Sequence, residues 1–350
     1  MTFSQQLLTW YRNNKRDLPW RRTKDPYFIW LSEIIMQQTR IEQGTPYYER
    51  FVDAYPTVKH LASADEQEVL KLWQGLGYYS RARNLHGTAQ EIMTGYGGIF
   101  PDTHADILRL KGVGDYTAAA IASICFDQPH AVMDGNVMRF LSRLYGIAES
   151  IDRPETKKTI RAIAEKNIDH RNPGDFNQAM MEFGATVCTP ANPGCLNCLF
   201  QRQCIAFKNN TVGRIPARNS KTAVRHRFLH YLVITVTERG TEFICLNKRT
   251  GSDIWKNMYD FPCLERTLDK TLLRLPAQEF DELLNSATPE FGEVSNPFIH
   301  ILTHQKLHAR FYRIHYDKKI DLPCLLVPVK DIHNYPVPKL IDRYLSKIFF

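Results

Sequence analysis

The 350-residue sequence has no run of eighteen or more apolar residues, which excludes an ordinary membrane-spanning helix. Its first residues, Met1-Thr2-Phe3-Ser4-Gln5-Gln6, have neither the basic nor the apolar segment of a secretory signal. The expectation is an intracellular, cytoplasmic protein. Eight cysteines in such a chain argue against a disulfide framework and in favour of ligand cysteines. What is present is ample apolar material. Hydrophobic residues make up 43%, which excludes a disordered chain and supports a sizeable core. The length suits two domains. A formal net charge of +8 is compatible with a polyanionic partner, although many soluble proteins are basic.

The stretch Leu108 to Asp134 organises the rest. Gly112 and Gly114 bracket Val113. Glycines there allow positive φ and a close backbone approach. The helix that follows, from about Asp115, points its free amides at whatever lies before the turn, an arrangement that binds a phosphate without reading sequence. A second glycine-bracketed turn, Gly75-Leu76-Gly77-Tyr78, leads into a helix carrying Arg81 and Arg83. Tyr78 there could wedge into a base stack or simply pack.

Two carboxylates stand out. Pro26 to Thr39 reads as a helix that is apolar on most sides, yet it contains Glu33. A glutamate in that setting is costly unless paired or protonated. It is either a structural ion pair or a general acid with a raised pKa. Asp134 precedes Gly135-Asn136 and an amphipathic helix. It fits an N-cap, and a capping aspartate accepts backbone hydrogen bonds, stays ionised, and can still face a developing cation. Upstream, Leu18-Pro19-Trp20-Arg21 is non-helical. Trp20 beside Arg21 suits base stacking or a core anchor equally.

Cys188, Cys195, Cys198 and Cys204 are separated by six, two and five residues. Four thiols within seventeen residues imply a metal site. Zinc sites built from four cysteines more often use two Cys-x-x-Cys pairs, and one is present, so zinc and a [4Fe–4S] cluster both remain open on spacing. Cys125, Cys245, Cys263 and Cys324 lie in apolar contexts and read as core.

From Lys208 the character changes. Arg214, Arg218, Lys221, Arg225 and Arg227 occur with no acid among them, as in a basic linker along a DNA backbone or a merely solvated one. His230 to Thr237 and Glu242 to Leu246 flank Arg239-Gly240 as a β-hairpin. Strands are expected at 298–302, 307–316 and 324–329, and helices near 278–285 and 338–348. An α+β domain results. It lacks the Arg-Glu-x-x-Glu-Glu pattern with which a Nudix pyrophosphatase holds its metals, so no second hydrolase site is expected.

Several motifs occur together and in order: Leu-Pro-Trp-Arg at 18–21, Trp-Leu-Ser-Glu-Ile-Ile-Met-Gln-Gln-Thr at 30–39, Gly-Leu-Gly-Tyr-Tyr-Ser-Arg-Ala-Arg-Asn-Leu at 75–85, Leu-Lys-Gly-Val-Gly at 110–114, Met-Asp-Gly-Asn-Val at 133–137, and the four cysteines. In these the chain resembles the MutY-type adenine DNA glycosylases of the endonuclease III-like helix–hairpin–helix superfamily. The resemblance implies a mostly α N-terminal domain at 1–208 with a [4Fe–4S] loop at 188–204. A basic linker at 209–227 and an α+β MutT-like domain at 228–350 would follow. It implies a base excision repair enzyme acting on double-stranded DNA, which flips out adenine mispaired with 8-oxoguanine or guanine. The protein would act as a monomer, meeting the nucleoid through DNA.

The same resemblance implies residue roles. Glu33 would protonate the adenine at N7 and Asp134 would stabilise the oxocarbenium ion, with Tyr116 and Asn136 beside them. Arg16, Leu18, Trp20, Arg21 and Gln178 would form the adenine pocket. Gly112, Val113 and Gly114 would hold the DNA backbone. Gln38, Thr39, Leu76 and Tyr78 would hold the lesion strand and wedge the stack. The family's Phe-Ser-His lesion loop corresponds to Leu302-Thr303-His304, which keeps the hydroxyl and imidazole but loses the aromatic ring. Bifunctional relatives carry a lysine nucleophile where this chain has Tyr116, which implies a monofunctional enzyme.

Overall fold

The computed structural model describes residues 1–217, 224–266, 277–284, 291–317 and 324–348, without the side chains of 277, 281 and 282. Arg218 and Lys221 of the expected linker lie outside the described residues. The chain forms two compact units: Met1–Ser63 with Asn84–Ser220, and Ala64–Arg83 with Lys221–Phe350. Among the described residues no helix is long and apolar enough to cross a membrane.

The first unit is helical. In chain order its helices begin with α1 (Phe3–Asn14), α2 (Pro26–Met36), α3 (Ile41–Ala54) and α4 (Val58–Ser63); α5 (Glu66–Leu72) belongs to the second unit, and α6 (Ser80–Gly95) runs from its residues into the first. Then come α7 (His104–Arg109), α8 (Asp115–Phe126), α9 (Gly135–Tyr145), α10 (Pro154–Asn167), α11 (Pro173–Thr186) and α12 (Ile205–Lys208). The expected non-helical stretch at Pro19 is a 3-10 turn, Pro19–Arg22.

Three helices show how sequence sets the frame. In α2 the Asp25 side chain caps Tyr27 N, Pro26 pre-sets the first turn, and seven of its residues from Tyr27 to Ile35 are buried. It is therefore a core helix packed on most sides. In α8 every residue from Thr117 to Ile124 is buried; four small alanines let neighbouring helices come close. In α11, Gly184 sits so near α9 that an added Cβ would lie 2.7 Å from Asn136 O. That contact seats α11 against the start of α9.

The second unit holds a seven-stranded sheet: β1 (Arg225–Glu238), β2 (Thr241–Lys248), β3 (Tyr259–Asp260), β4 (Cys263–Arg266), β5 (Phe298–Ile301), β6 (Gln305–Tyr316) and β7 (Leu325–Pro328). The order is β3-β2-β1-β6-β5, with β4 on β1 and β7 on β2. β1 and β6 are parallel, from Arg225 opposite Gln305 to Val236 opposite Tyr316. One face packs Leu232, Ile234, Tyr312 and Phe280 together. On the other, Phe311 stacks on Tyr344 at 3.8 Å, and Tyr344 comes from α13 (Lys339–Ile348). The expected hairpin turns at Arg239 and Gly240, both at positive φ.

Two expectations are corrected. Cys245 and Cys324 are joined in a disulfide rather than packed as free core thiols, because antiparallel pairing of β2 with β7 brings their Cα atoms to 5.7 Å; Cys125 and Cys263 stay free. Arg225 and Arg227 belong to β1, not to a loose linker. Arg227 is buried, paired with Asp253 at 2.9 Å and Glu265 at 2.6 Å.

Candidate active site

A cavity of about 420 Å³ opens in the first unit. The 3-10 turn, α2, α8, the cap of α9 and α11 contribute to its wall. Of the residues expected at an adenine pocket, Arg16, Leu18, Trp20 and Arg21 line it, together with Glu33, Tyr116, Asp134, Asn136 and Thr39. Gln178 does not: its Oε1 accepts from Tyr11 Oη at 2.9 Å. Gln38 lies outside the lining as well, at a positive φ of 54° where α2 ends. Trp20 lines the cavity and packs edge-on to Tyr48 with centroids 5.3 Å apart.

Glu33 sits where the fold strips its carboxyl of solvent. Burial on the apolar helix pushes its carboxyl up to about 7; Asp134 adds to the rise, while the Tyr116 hydroxyl and Arg21 oppose it. Burial, rather than the charge of Arg21, is the larger influence on Glu33. A group ionising near 7 can give up a proton at physiological pH. Tyr116 also reaches Met181 Sδ at 3.2 Å.

Asp134 is the N-cap of α9. Its Oδ1 accepts from Val137 N at 2.7 Å and its Oδ2 from Asn136 Nδ2 at 2.7 Å. Burial pushes its pKa up, against the bonds from Val137 and Asn136 and the charge of Arg139. Desolvation is thus a larger influence than capping chemistry suggests. Asn136 in turn accepts from Arg139 Nη2 at 2.9 Å, and Arg139 Nε donates to Cys188 O at 2.8 Å. A continuous polar ladder leads from the carboxylate to the cysteine loop.

Glu182 is a site residue that the sequence reading missed. Its side chain is fully buried. Arg16 Nε and Nη2 and Arg21 Nη2 each donate to it at 2.8 Å, and Arg16 N at 3.0 Å. Burial alone raises a carboxyl, but these bonds outweigh it and hold Glu182 at about 2. In the sequence it is one acid in Met-Met-Glu-Phe, with partners more than 160 positions away.

The hairpin between α7 and α8 follows the expected logic in part. Gly112 has φ +79°, and a Cβ there would meet Asn84 at 2.8 Å. Gly114, in contrast, is extended, and a Cβ on it would meet nothing within 4 Å. Among the described residues nothing would crowd a side chain at 114. Val113 is buried and anchors the turn.

The four cysteines Cys188, Cys195, Cys198 and Cys204 line one small cavity with Phe140, Leu144 and Val187. Among the described residues no group of three or more His, Cys, Asp or Glu is placed to hold a metal ion. The donor set nonetheless suits a thiolate-bound metal group. Burial and mutual repulsion push Cys188, Cys195 and Cys198 up, an effect that a bound cation would counter. Arg143 donates to Cys188 Sγ at 3.6 Å and to Thr189 O at 2.7 Å, fixing the loop.

In the second unit, Leu76, Tyr78, Thr303 and His304 line a cavity of about 700 Å³. Tyr78 Oη hydrogen-bonds Thr303 Oγ1. The sequence reading missed Trp255, His300 and Lys256, which line the same space as Arg83.

Residues 31–168 match the HhH-GPD superfamily of base excision DNA repair proteins, and residues 230–347 match a NUDIX domain. An adenine DNA glycosylase of Buchnera aphidicola (from Acyrthosiphon pisum) is 37% identical over 261 residues, 74% of this chain and 73% of that protein. One from the Schizaphis graminum strain is 30% identical over 350 residues, 98% of each. The human adenine DNA glycosylase is 43% identical over 213 residues, 58% of this chain and 39% of that one. Among solved structures, a thermostable thymine-DNA glycosylase superposes with a TM-score of 0.54 at 29% identity, covering 59% of this chain and 95% of its own. An endonuclease III–DNA covalent intermediate, at 20% identity and TM-score 0.51 over 60% of this chain and 99% of its own, shares the fold. The chain belongs to the adenine DNA glycosylase family of HhH-GPD base excision repair enzymes.

Proposed function

We propose that this chain excises adenine paired with 8-oxoguanine or guanine in double-stranded DNA, as a monofunctional and monomeric glycosylase that leaves an abasic site. One observation carries the reading: a carboxyl that keeps its proton up to about pH 7 shares a cavity with a hydrogen-bonded N-cap carboxylate. The two environments divide the labour of acid and ion-stabiliser. Glu33 gives its proton to N7 of the extruded adenine. The bond from C1′ to N9 breaks, and its electron pair leaves with the base. Asp134 faces the resulting cation, and Asn136 keeps its carboxylate in place. Water adds to C1′, and its proton goes to the Glu33 carboxylate. No lysine is among the residues lining the cavity, so no amine stands ready for strand cleavage.

The other expected residues complete the reading. Arg16, Leu18, Trp20 and Arg21 hold the adenine, with Gln178 bracing the wall through Tyr11. Gly112, Val113 and Gly114 hold the DNA backbone. Gln38, Thr39, Leu76, Tyr78, Thr303 and His304 serve the lesion strand. The four cysteines hold a [4Fe–4S] cluster, whose bonds to the thiolates order the 188–204 loop. The test uses purified protein and duplexes carrying adenine opposite 8-oxoguanine. Strand breaks only after alkali support the reading. Direct nicking, or intact adenine, contradicts it.

A further inference from the structure

The wall of the adenine cavity carries two guanidinium groups, Arg16 and Arg21, and one buried carboxylate behind them. Arg21 has its ring neighbour Tyr11 at 5.5 Å on one side and Glu182 on the other. Nothing else among the described ion pairs fixes either arginine. We propose that Glu182 is a positioning residue for base release: it fixes Arg16 and Arg21 in the wall and cancels one of their two charges, which keeps Glu33 protonated at working pH. The inference rests on Glu33 being the acid.

The charges around Glu33 can be counted. Arg16 and Arg21 supply two cations and Glu182 one anion, a balance of one positive charge. Asp134 faces Glu33 from the cap of α9, Tyr116 and Cys125 from α8, and Met181 from α11; Arg40 and Glu42, one charge of each sign, also line the cavity, and Glu42 acts on Arg16. Removing the Glu182 charge leaves the two cations of the wall without their carboxylate. A nearby cation favours the ionised carboxyl. Glu33 then loses its proton earlier, and the acid is missing at the pH where the wild type still has it.

The experiment is single-turnover adenine release against pH. Release by the wild type falls above the pH at which Glu33 ionises. In Glu182→Gln that falling limb moves down by roughly one pH unit. Glu182→Asp keeps the charge and leaves the limb in place, even where the rate drops. Arg16→Gln removes a cation at the more exposed arginine and moves the limb up. The double variant R16Q/E182Q restores the count and returns it toward the wild type. The Arg16 variant keeps the test decisive if Glu182→Gln does not fold. A limb that stays put in Glu182→Gln while release falls equally at every pH overturns the inference, as does a shift of the same sign in both single variants. Glu33→Gln serves as the control. Retained release there contradicts the assignment of the acid; dead Glu33→Gln with an unmoved E182Q limb contradicts only the role of Glu182.

Discussion

Replacing Glu33 with glutamine should stabilise the protein, and by more as the pH rises. Burial lifts the carboxyl from an ordinary 4.5 to about 7. At about 1.4 kcal/mol per pH unit that gap is worth roughly 3 kcal/mol. The unfolded chain sheds the proton near 4.5 and the folded protein near 7. The stability tied to this group is therefore fully present below about 4.5. It is lost as the pH rises to about 7, and the loss is constant beyond that. Glutamine has nearly the same shape and no such titration. The stability of Glu33→Gln minus that of the wild type should thus grow by roughly 2 to 3 kcal/mol between pH 5 and pH 8. All other titrating groups are common to the two proteins and largely cancel in the difference. Urea unfolding of both proteins at four pH values across that range measures it. A difference that does not change with pH would refute the argument, because it would mean the carboxyl is solvated and its acid role has no physical basis here.

Asp134→Asn should reduce adenine release by at least about 10²-fold while leaving α9 stable to within about 0.5 kcal/mol, since asparagine caps as well as aspartate; single-turnover rates and thermal unfolding separate the two effects. Gly184→Ala drives a Cβ into Asn136 O and should cost about 1–3 kcal/mol, lowering release by displacing the Asn136–Asp134 pair; an unchanged melting temperature counts against the close approach. Arg227→Met leaves Glu265 without its partner and Asp253 with Arg249 alone and should cost the second unit about 1–3 kcal/mol, seen as an early transition in urea. On the proposed cluster, removal of its iron by a chelator should loosen the 188–204 loop and weaken duplex binding; a protein purified without iron, or binding unchanged once iron is removed, contradicts that proposal.

The parts of the site legible in sequence are those whose chemistry conflicts with their local pattern. Glu33 interrupts an otherwise apolar helix, Asp134 precedes a glycine and an amphipathic run, and four cysteines crowd one loop. Each is a local anomaly, so a local reading finds it. Glu182 is not anomalous locally: a glutamate in a helix is ordinary until Arg16 and Arg21 arrive from the far end of the chain. The Cys245–Cys324 bond spans 79 positions and depends on the pairing of β2 with β7, which no short pattern announces. The same holds for Ala64–Arg83, which reads as one more helix and glycine turn yet groups with the C-terminal residues. β2, β5, β6, β7 and α13 of the second unit were legible from alternation and turn residues, whereas β3 and β4 were not, and the helix expected near 278–285 is a 3-10 turn at Ala277–Leu283. The start of β1 was not, because basic side chains at Arg225 and Arg227 mask a strand whose charge is neutralised by Asp253 and Glu265.

The central claim is that Glu33 is the proton donor for adenine release. Its most direct measurement is single-turnover excision by Glu33→Gln on a duplex with adenine opposite 8-oxoguanine, alongside the variant's affinity for the same duplex. The account predicts no measurable excision with affinity near that of the wild type. Excision at anything approaching the wild-type rate, or loss of binding together with loss of excision, would contradict it.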